Sequence, residues 1–194
     1  MDSASRDVAK SALRAEILGR RRARPESEHS AAAHAIASHL LAAAFARTDT
    51  IALYLSMESE PGTAPLIAGL LARGTRVLVP VVRPEHQLAW VAYDPAARTH
   101  ESPLGITEPD AEPLGPGALD EAGLIIVPAL AVDHRGTRLG RGAGYYDRAL
   151  AHVSAPVCAV VFSDELIESI PAEIHDRAVD LVATEAGIFR VFPG

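Results

Sequence analysis

The sequence has very little cysteine and lysine: Cys158 and Lys10 are the single examples of each among 194 residues. One cysteine excludes a disulfide framework and a cysteine-ligated zinc site. Because Cys158 lies in the apolar run Val157 to Phe162, we expect it to be a buried core thiol. No apolar run approaches the length of a membrane span, and the first residues mix charges without an apolar signal core. We therefore expect a cytoplasmic protein with no membrane partner.

The sequence also lacks the basic excess that nucleic-acid binding usually requires. Its formal net charge is -7 at pH 7. An RNA-binding module using the arginine-rich run Arg20 to Arg24 and the later arginine–glycine segment is an alternative. The acidic balance and the lack of an RNP-type aromatic motif disfavour it, so we expect no nucleic-acid partner.

The remaining composition is typical of a globular protein. Apolar residues make up 48% and charged residues 22%, which argues against disorder. A chain of 194 residues is long enough to bury a full core as one domain. We expect a single domain over residues 1–194, present as a monomer.

The segment Val127 to Leu150 reads as a strand, a glycine-rich loop and a helix. The loop combines four glycines with three arginines, namely Gly136, Gly140, Gly142, Gly144, Arg135, Arg138 and Arg141. Glycines allow positive φ and let backbone N–H groups approach a ligand closely, and the loop leads into a helix start. A mobile surface hairpin is the alternative. The density of arginines directly after a buried-type strand favours an anion site.

Apolar periodicity and turn residues predict alternating helices and strands. The predicted helices are Asp7 to Ala23, Glu26 to Ala46, Thr63 to Arg73, Tyr145 to Ala151 and a short one within Ser163 to Pro171. The predicted strands are Thr50 to Ser56, Arg76 to Val82, Gln87 to Tyr93, Leu124 to Val132, Pro156 to Phe162, Leu181 to Thr184 and Gly187 to Val191. The proline-rich segment Asp94 to Asp120 is predicted to be a long surface loop. This alternation indicates a parallel α/β sheet.

Ligands of such sheets gather at the carboxyl ends of strands. Met57, Glu58 and Glu60 follow the first predicted strand, and Asp133 to Asp147 follows a later one. We therefore expect these two segments to lie at the same edge of the sheet.

The spacing of basic residues on the first predicted helix and of histidines on the second leads to different predictions. Lys10 and Arg14 are four residues apart on one helix face, where like charges favour either solvent or an anion. His29, His34 and His39 recur every five residues, about 140° apart at each step around a helix, so they cannot converge on one metal.

These features together resemble the 5-formyltetrahydrofolate cyclo-ligase family, also called 5,10-methenyltetrahydrofolate synthetases. The resemblance rests on motifs that occur in order along almost the whole chain: K-x-x-x-R at Lys10 to Arg14, Y-x-S-M-x-x-E at Tyr54 to Glu60, G-I-x-E-P at Gly105 to Pro109, R-L-G-R-G-x-G-Y-Y-D at Arg138 to Asp147, P-x-E-x-H-D at Pro171 to Asp176, and T-E at Thr184 to Glu185. The ten-residue motif ending in Asp147 is the most specific of them.

The resemblance implies a single-domain, Rossmann-like three-layer fold with a mostly parallel central sheet flanked by helices, of the NagB/RpiA/CoA transferase-like type. It also implies an ATP- and Mg²⁺-dependent ring closure that converts 5-formyltetrahydrofolate to 5,10-methenyltetrahydrofolate and releases ADP and phosphate. The proposed order is phosphorylation of the formyl oxygen, attack by N10 and loss of phosphate. Phosphoryl transfer needs mainly positioning and charge neutralisation.

The resemblance also assigns roles to individual residues. It implies ATP binding by Lys10, Arg14, Arg138, Gly140, Arg141, Gly142, Ala143, Gly144, Tyr145 and Tyr146. It implies folate binding by Met57, Glu60, Tyr145 and Tyr146, Mg²⁺ binding by Asp147 and Asp176, and catalysis by Arg138, Tyr145 and Asp147. Trp90, in an alternating strand, is expected in the core rather than in the site.

The sequence departs from the family pattern at three places. Basic residues often follow the proline of the second strand, whereas Val81 and Val82 follow Pro80 here. Val132 stands where an aromatic residue is common, and Ala143 where lysine or glycine is frequent. We expect these changes to affect affinity rather than the reaction. A nucleotide- or phosphosugar-binding regulatory module without turnover is the alternative, but a pure binder has no need of Glu60, Asp147 and Asp176 beside the cations.

Overall fold

A computed structural model describes residues 3–102, 105–115, 117–171 and 177–191. The α-helices are α1 (Ser3–Ala23), α2 (Glu26–Ala42), α3 (Ala64–Ala72) and α4 (Tyr145–Leu150). The strands are β1 (Thr50–Leu53), β2 (Arg76–Arg83), β3 (Gln87–Ala92), β4 (Thr99–Glu101), β5 (Thr107–Pro109), β6 (Leu124–Pro128), β7 (Ala131–Asp133), β8 (Arg138–Leu139), β9 (Val157–Val160), β10 (Leu166–Ile167), β11 (Leu181–Thr184) and β12 (Gly187–Arg190).

Seven strands form the central sheet, in the order β12-β11-β9-β6-β1-β2-β3. Its five inner strands are parallel, while β12 and β3 pair antiparallel at the two edges. The predicted α/β fold with a mostly parallel central sheet flanked by helices is therefore confirmed.

Both faces of the sheet are buried, which explains why its inner strands are continuously apolar. In β1, for example, Ile51 and Leu53 face the core beneath α2 and α3, whereas Ala52 faces the opposite core with Leu150 of α4. Cys158 is fully buried in the first core, and burial raises the pKa of its thiol to about 12. Trp90 belongs to the second core, as predicted.

Four predicted elements differ from the structure. The apolar run Leu124 to Val132 is not one strand, because the chain leaves the central sheet after Pro128 and β7 joins a small sheet of order β10-β7-β8. The short helix predicted within Ser163 to Pro171 is only a 3₁₀ turn over Ser163–Glu165 followed by β10. The Glu165 side chain accounts for the turn, since it turns inward to accept a hydrogen bond from the Phe162 N–H at 2.9 Å.

The other two differences between the predicted elements and the structure are smaller. The second helix ends at Ala42 and continues as a separate 3₁₀ turn, Ala44–Ala46. The segment predicted as a long loop contains the β4–β5 hairpin, which a buried Glu108 ties to β2 by accepting a hydrogen bond from the Val82 N–H at 3.0 Å.

Helix α1 is fixed to the sheet by a buried ion pair. The Arg21 guanidinium donates to both carboxylate oxygens of Glu165 at 2.7 Å and to the Ala129 carbonyl at 2.6 Å. Both charged side chains are almost completely buried, so removing either one would leave an uncompensated charge in the core. The pair therefore sets where the basic face of α1 lies.

No helix in the described ranges is both long and apolar enough to cross a membrane.

Candidate active site

A cavity of about 610 Å³ opens where β1, β2 and β6 end. All but one of the residues predicted for the site line it. They are Lys10, Arg14, Met57, Glu60, Arg138, Gly140, Arg141, Gly142, Ala143, Gly144, Tyr145, Tyr146 and Asp147. Asp176 lies outside the described residues, so the structure does not bear on its predicted role.

One wall of the cavity, which we call the basic side, consists of Lys10, Arg14, Arg138, Arg141, Asp147 and the glycine-rich loop 140–144. The loop needs its glycines, because Gly142 and Gly144 have φ of 102° and 71°, in the left-handed region. A side chain at position 142 would also contact the Arg14 guanidinium, about 3.5 Å from its Cβ. Arg14 in turn donates from Nε to the Gly140 carbonyl at 2.9 Å, so α1 supports the loop directly.

Arg138 and Asp147 form an ion pair across the basic side, with 2.5 Å between Arg138 Nη2 and Asp147 Oδ1. The arginine side chain is only 5% exposed, whereas that of Asp147 is 48% exposed. Arg138 also lies over the Tyr146 ring, 5.7 Å from its centre, and its buried Nε has no hydrogen-bond partner among the described residues. An N–H left in this way suits a ligand oxygen.

Lys10, the single lysine, lies in the same wall. Its side chain lines the cavity although the residue is only 8% exposed. A buried ammonium one turn before Arg14 adds to the positive field of the loop, which is unusual in an acidic protein. The burial of Lys10 argues against the alternative of a fully solvated helix face.

The opposite wall, which we call the apolar side, is formed by Leu55, Met57, Pro80, Val82, Leu88 and Ile106 together with the carboxylates of Glu60 and Glu108. Glu60 is 8% exposed and accepts a hydrogen bond from the Met57 N–H at 3.0 Å. Reciprocal bonds between Ser56 and Thr63, at 3.1 and 3.2 Å, close the loop that presents it. A buried carboxylate held in this way can accept hydrogen bonds from a planar ligand edge.

The negative charge of Glu60 affects the pKa of two neighbouring tyrosines. Burial, and then the negative charge of Glu60, raise the pKa of both Tyr54 and Tyr146 above the ordinary value. Tyr54 donates to the Pro61 carbonyl at 2.8 Å and is core, whereas Tyr146 packs against both cores while its edge lines the cavity. Both side chains are therefore neutral hydrogen-bonding groups at physiological pH.

Sequence reasoning missed most of the apolar side and one arginine that supports the basic side without lining the cavity. The apolar residues resemble any buried strand residue, and Glu108 lies in the G-I-x-E-P motif without an evident role. The missed arginine is Arg148, which follows Asp147 directly. It donates to the Ala143 carbonyl at 2.6 Å and to the His86 carbonyl at 3.1 Å, and thereby joins the glycine-rich loop to the tip of the β2–β3 hairpin.

The described residues contain no group of three or more histidine, cysteine, aspartate or glutamate side chains that could enclose a metal ion. The three histidines of α2 contact different backbone carbonyls: His29 that of Arg21, His34 that of Ser30 and His39 that of Glu185. Asp147 offers a half-exposed carboxylate beside the glycine-rich loop. Such a donor fits Mg²⁺, which usually takes one or two carboxylates and completes its shell with water and substrate phosphates.

A mostly parallel sheet with a glycine-rich, arginine-bearing loop at its strand ends defines an α/β protein with a basic cavity, in the place where such folds commonly bind phosphate-bearing ligands. The chain belongs to the 5-formyltetrahydrofolate cyclo-ligase family, whose model matches residues 6–185. This confirms the family resemblance of the sequence motifs.

Individual relatives agree with this membership. A 5-formyltetrahydrofolate cyclo-ligase of Mycolicibacterium smegmatis is 42% identical over 183 residues, covering 91% of this chain and 93% of the relative. One from Escherichia coli is 32% identical over 146 residues, covering 73% and 80%. The solved structure of a 5,10-methenyltetrahydrofolate synthetase from Aquifex aeolicus superimposes with a TM-score of 0.80 at 29% identity, covering 95% of this chain and 94% of that one.

Proposed function

We propose that this protein converts 5-formyltetrahydrofolate to 5,10-methenyltetrahydrofolate with consumption of Mg-ATP. Family membership supports the folate conversion. The observation that carries the rest is that one cavity is lined both by a buried carboxylate, Glu60, and by a glycine-rich loop bearing Arg138 and Arg141. One ligand can be held on each side with the reacting groups between them.

The chemistry explains why two such different walls are needed. A formamide carbon is a poor electrophile and its oxygen a poor leaving group. Transfer of the γ-phosphoryl group of ATP to the formyl oxygen releases ADP. It makes the formyl carbon a better electrophile and its oxygen a better leaving group. N10 then attacks the formyl carbon and loses its proton, and the carbon–oxygen bond breaks with departure of phosphate. The protein contributes mainly positioning and neutralisation of phosphate charge.

On the basic side, Lys10, Arg14, Arg138 and Arg141 supply the cations, and the N–H groups of the 140–144 loop supply neutral donors. Asp147 is positioned to hold Mg²⁺, with Asp176 as a second ligand implied by the family motif. When bound, Mg²⁺ neutralises phosphate charge. Arg138 is nearly buried and already adjoins Asp147, so it can hold a phosphate oxygen close to that metal ligand.

On the apolar side, Glu60 accepts hydrogen bonds from the amino-pyrimidinone edge of the pterin, while Met57 packs against the ring. Tyr145 and Tyr146 lie where the two walls meet, and the T-shaped contact of Tyr145 with His86, with 5.3 Å between ring centres, holds its ring in place. We further propose that the protein acts as a cytoplasmic monomer on these two small molecules.

The proposed function is tested by mixing the purified protein with 5-formyltetrahydrofolate and Mg-ATP and following the absorbance of methenyltetrahydrofolate. We expect product only when all three components are present, with one ADP for each product molecule. Binding of both ligands without any product would instead indicate the non-catalytic regulatory module. Product formed equally well without ATP would contradict the proposed use of the basic side.

A further inference from the structure

Arg141 joins the two walls of the cavity. Its Nε lies 3.3 Å from Glu60 Oε1, and its Nη2 lies 3.4 Å from the Ser59 hydroxyl oxygen. The glycine-rich loop of the basic side is thus connected through one guanidinium to the loop that presents the carboxylate of the apolar side.

The two partners differ in how readily they can move. Glu60 is 8% exposed, and a buried carboxylate is strongly destabilised without a partner. Arg141 is 40% exposed, and its long side chain can reach other groups at little cost in solvation. Arg138 offers no such freedom, because its side chain is 5% exposed and lies against Tyr146. Arg141 is therefore better able than Arg138 to change partners.

The proposed function, on which this inference rests, gives the two residues different ligands. Glu60 faces the N–H edge of the folate, and Arg141 faces the phosphates of ATP. If ATP draws Arg141 away while the folate is absent, Glu60 is left buried without its cation. If the folate is present, its N–H groups satisfy Glu60 and Arg141 is free for phosphate.

We propose that Arg141 exchanges Glu60 for ATP phosphate during substrate binding, and that this exchange makes the two substrates bind cooperatively. Each substrate removes the unfavourable part of binding the other, because Glu60 Oε1 then has a partner in addition to the Met57 N–H bonded to Oε2. Thermodynamic linkage requires the same coupling factor from either side. The free protein consequently holds ATP weakly until the folate has arrived, which limits nonproductive ATP hydrolysis.

The test is calorimetric titration of 5-formyltetrahydrofolate with and without a saturating non-hydrolysable ATP analogue and Mg²⁺. In the wild-type protein we expect the analogue to lower the Kd for the folate by about fivefold or more. In Arg141→Met, which keeps an unbranched apolar stem but cannot donate hydrogen bonds, the ratio of the two Kd values should fall to within about twofold of one. Titrating the analogue with and without the folate should return the same ratio as the first experiment.

Two further variants separate this role from general damage. Glu60→Gln needs no cation and should also lose the coupling, while Arg135→Met, an exposed arginine that does not line the cavity, should keep the wild-type ratio. A wild-type ratio near one, or an undiminished ratio in Arg141→Met and Glu60→Gln, would overturn the inference while leaving the proposed function intact. No binding of 5-formyltetrahydrofolate to the wild-type protein would overturn the proposed function and this inference with it.

Discussion

The basic and apolar sides of the cavity are built in different ways. The basic side is local, since most of it comes from one stretch, Arg138 to Asp147, to which α1 adds Lys10 and Arg14. The apolar side takes residues from β2, β3, β5 and the loops after β1 and β4, so no single stretch of sequence contains it. Charge-assisted contacts with phosphate depend on a fixed loop, whereas contacts with a flat ring require only well-placed apolar surface and one buried carboxylate. Mutations on the basic side should therefore mainly affect the use of ATP, and mutations on the apolar side should mainly affect the binding of the folate.

The largest effect is expected at Asp147. Asp147→Asn keeps the size of the side chain but removes the negative charge that suits Mg²⁺, so turnover should fall on the order of 100-fold. The replacement amide oxygen can still accept a hydrogen bond from the almost buried Arg138, so the protein should stay folded with a modestly lower melting temperature. Raising the Mg²⁺ concentration should restore part of the activity. Wild-type turnover at low Mg²⁺ would remove Asp147 from the metal site.

Arg138 tests whether the basic side serves ATP alone. A charge-assisted contact with phosphate contributes about 1.5–3 kcal/mol, so Arg138→Ala should raise the KM for ATP roughly 10- to 150-fold. The KM for the folate should change far less. Initial rates with each substrate varied in turn measure both constants, and Arg135→Ala is the matched control. Equal effects on the two constants would contradict the division into two sides.

Glu60 is the reciprocal test on the apolar side. Glu60→Gln replaces one acceptor with a donor and leaves a ligand N–H unpaired, which costs about 1–3 kcal/mol, or roughly 5- to 150-fold in folate affinity. ATP affinity measured without the folate should not weaken, because the amide no longer competes for Arg141. Calorimetry with each ligand alone measures the two constants. Unchanged folate affinity would mean that Glu60 only supports its own loop.

Arg148 should give the smallest effect, because it acts on ATP only through the loop. Arg148→Met removes two hydrogen bonds to backbone carbonyls, so the KM for ATP should rise roughly 2- to 12-fold with little change for the folate. Arg148→Lys restores the charge and can donate to one of the carbonyls at a time. Partial recovery is therefore expected, whereas full recovery would indicate that Arg148 acts through its charge alone.

The same difference between the two sides explains what the sequence could predict. The glycine-rich loop, its arginines and Asp147 are recognisable because their spacing along the chain is also their arrangement in space. Lys10 was recognisable because it follows the K-x-x-x-R pattern on a helix. The burial of Lys10 could not be predicted, because it depends on how Arg21 and Glu165 fix α1 against the sheet.

The apolar side could not be predicted residue by residue. Leu88 and Ile106 carry no sign that distinguishes a cavity wall from a core, and Glu108 required the β4–β5 hairpin to be known. The contact between Glu60 and Arg141 joins residues that are 81 positions apart. The break between β6 and β7 could not be predicted for a similar reason. The apolar run leaves the central sheet because β7 pairs with β8 and β10, which are distant in sequence or only two residues long.

In the proposed reaction, the two sides of the cavity bring the γ-phosphate of ATP to the formyl oxygen of the folate. The most direct measurement uses 5-formyltetrahydrofolate that carries heavy oxygen in the formyl group, with mass analysis of the inorganic phosphate after complete turnover. If the formyl oxygen is phosphorylated, it must leave with phosphorus, and each released phosphate should contain one heavy atom. Heavy oxygen recovered in water, with unlabelled phosphate, would contradict the account.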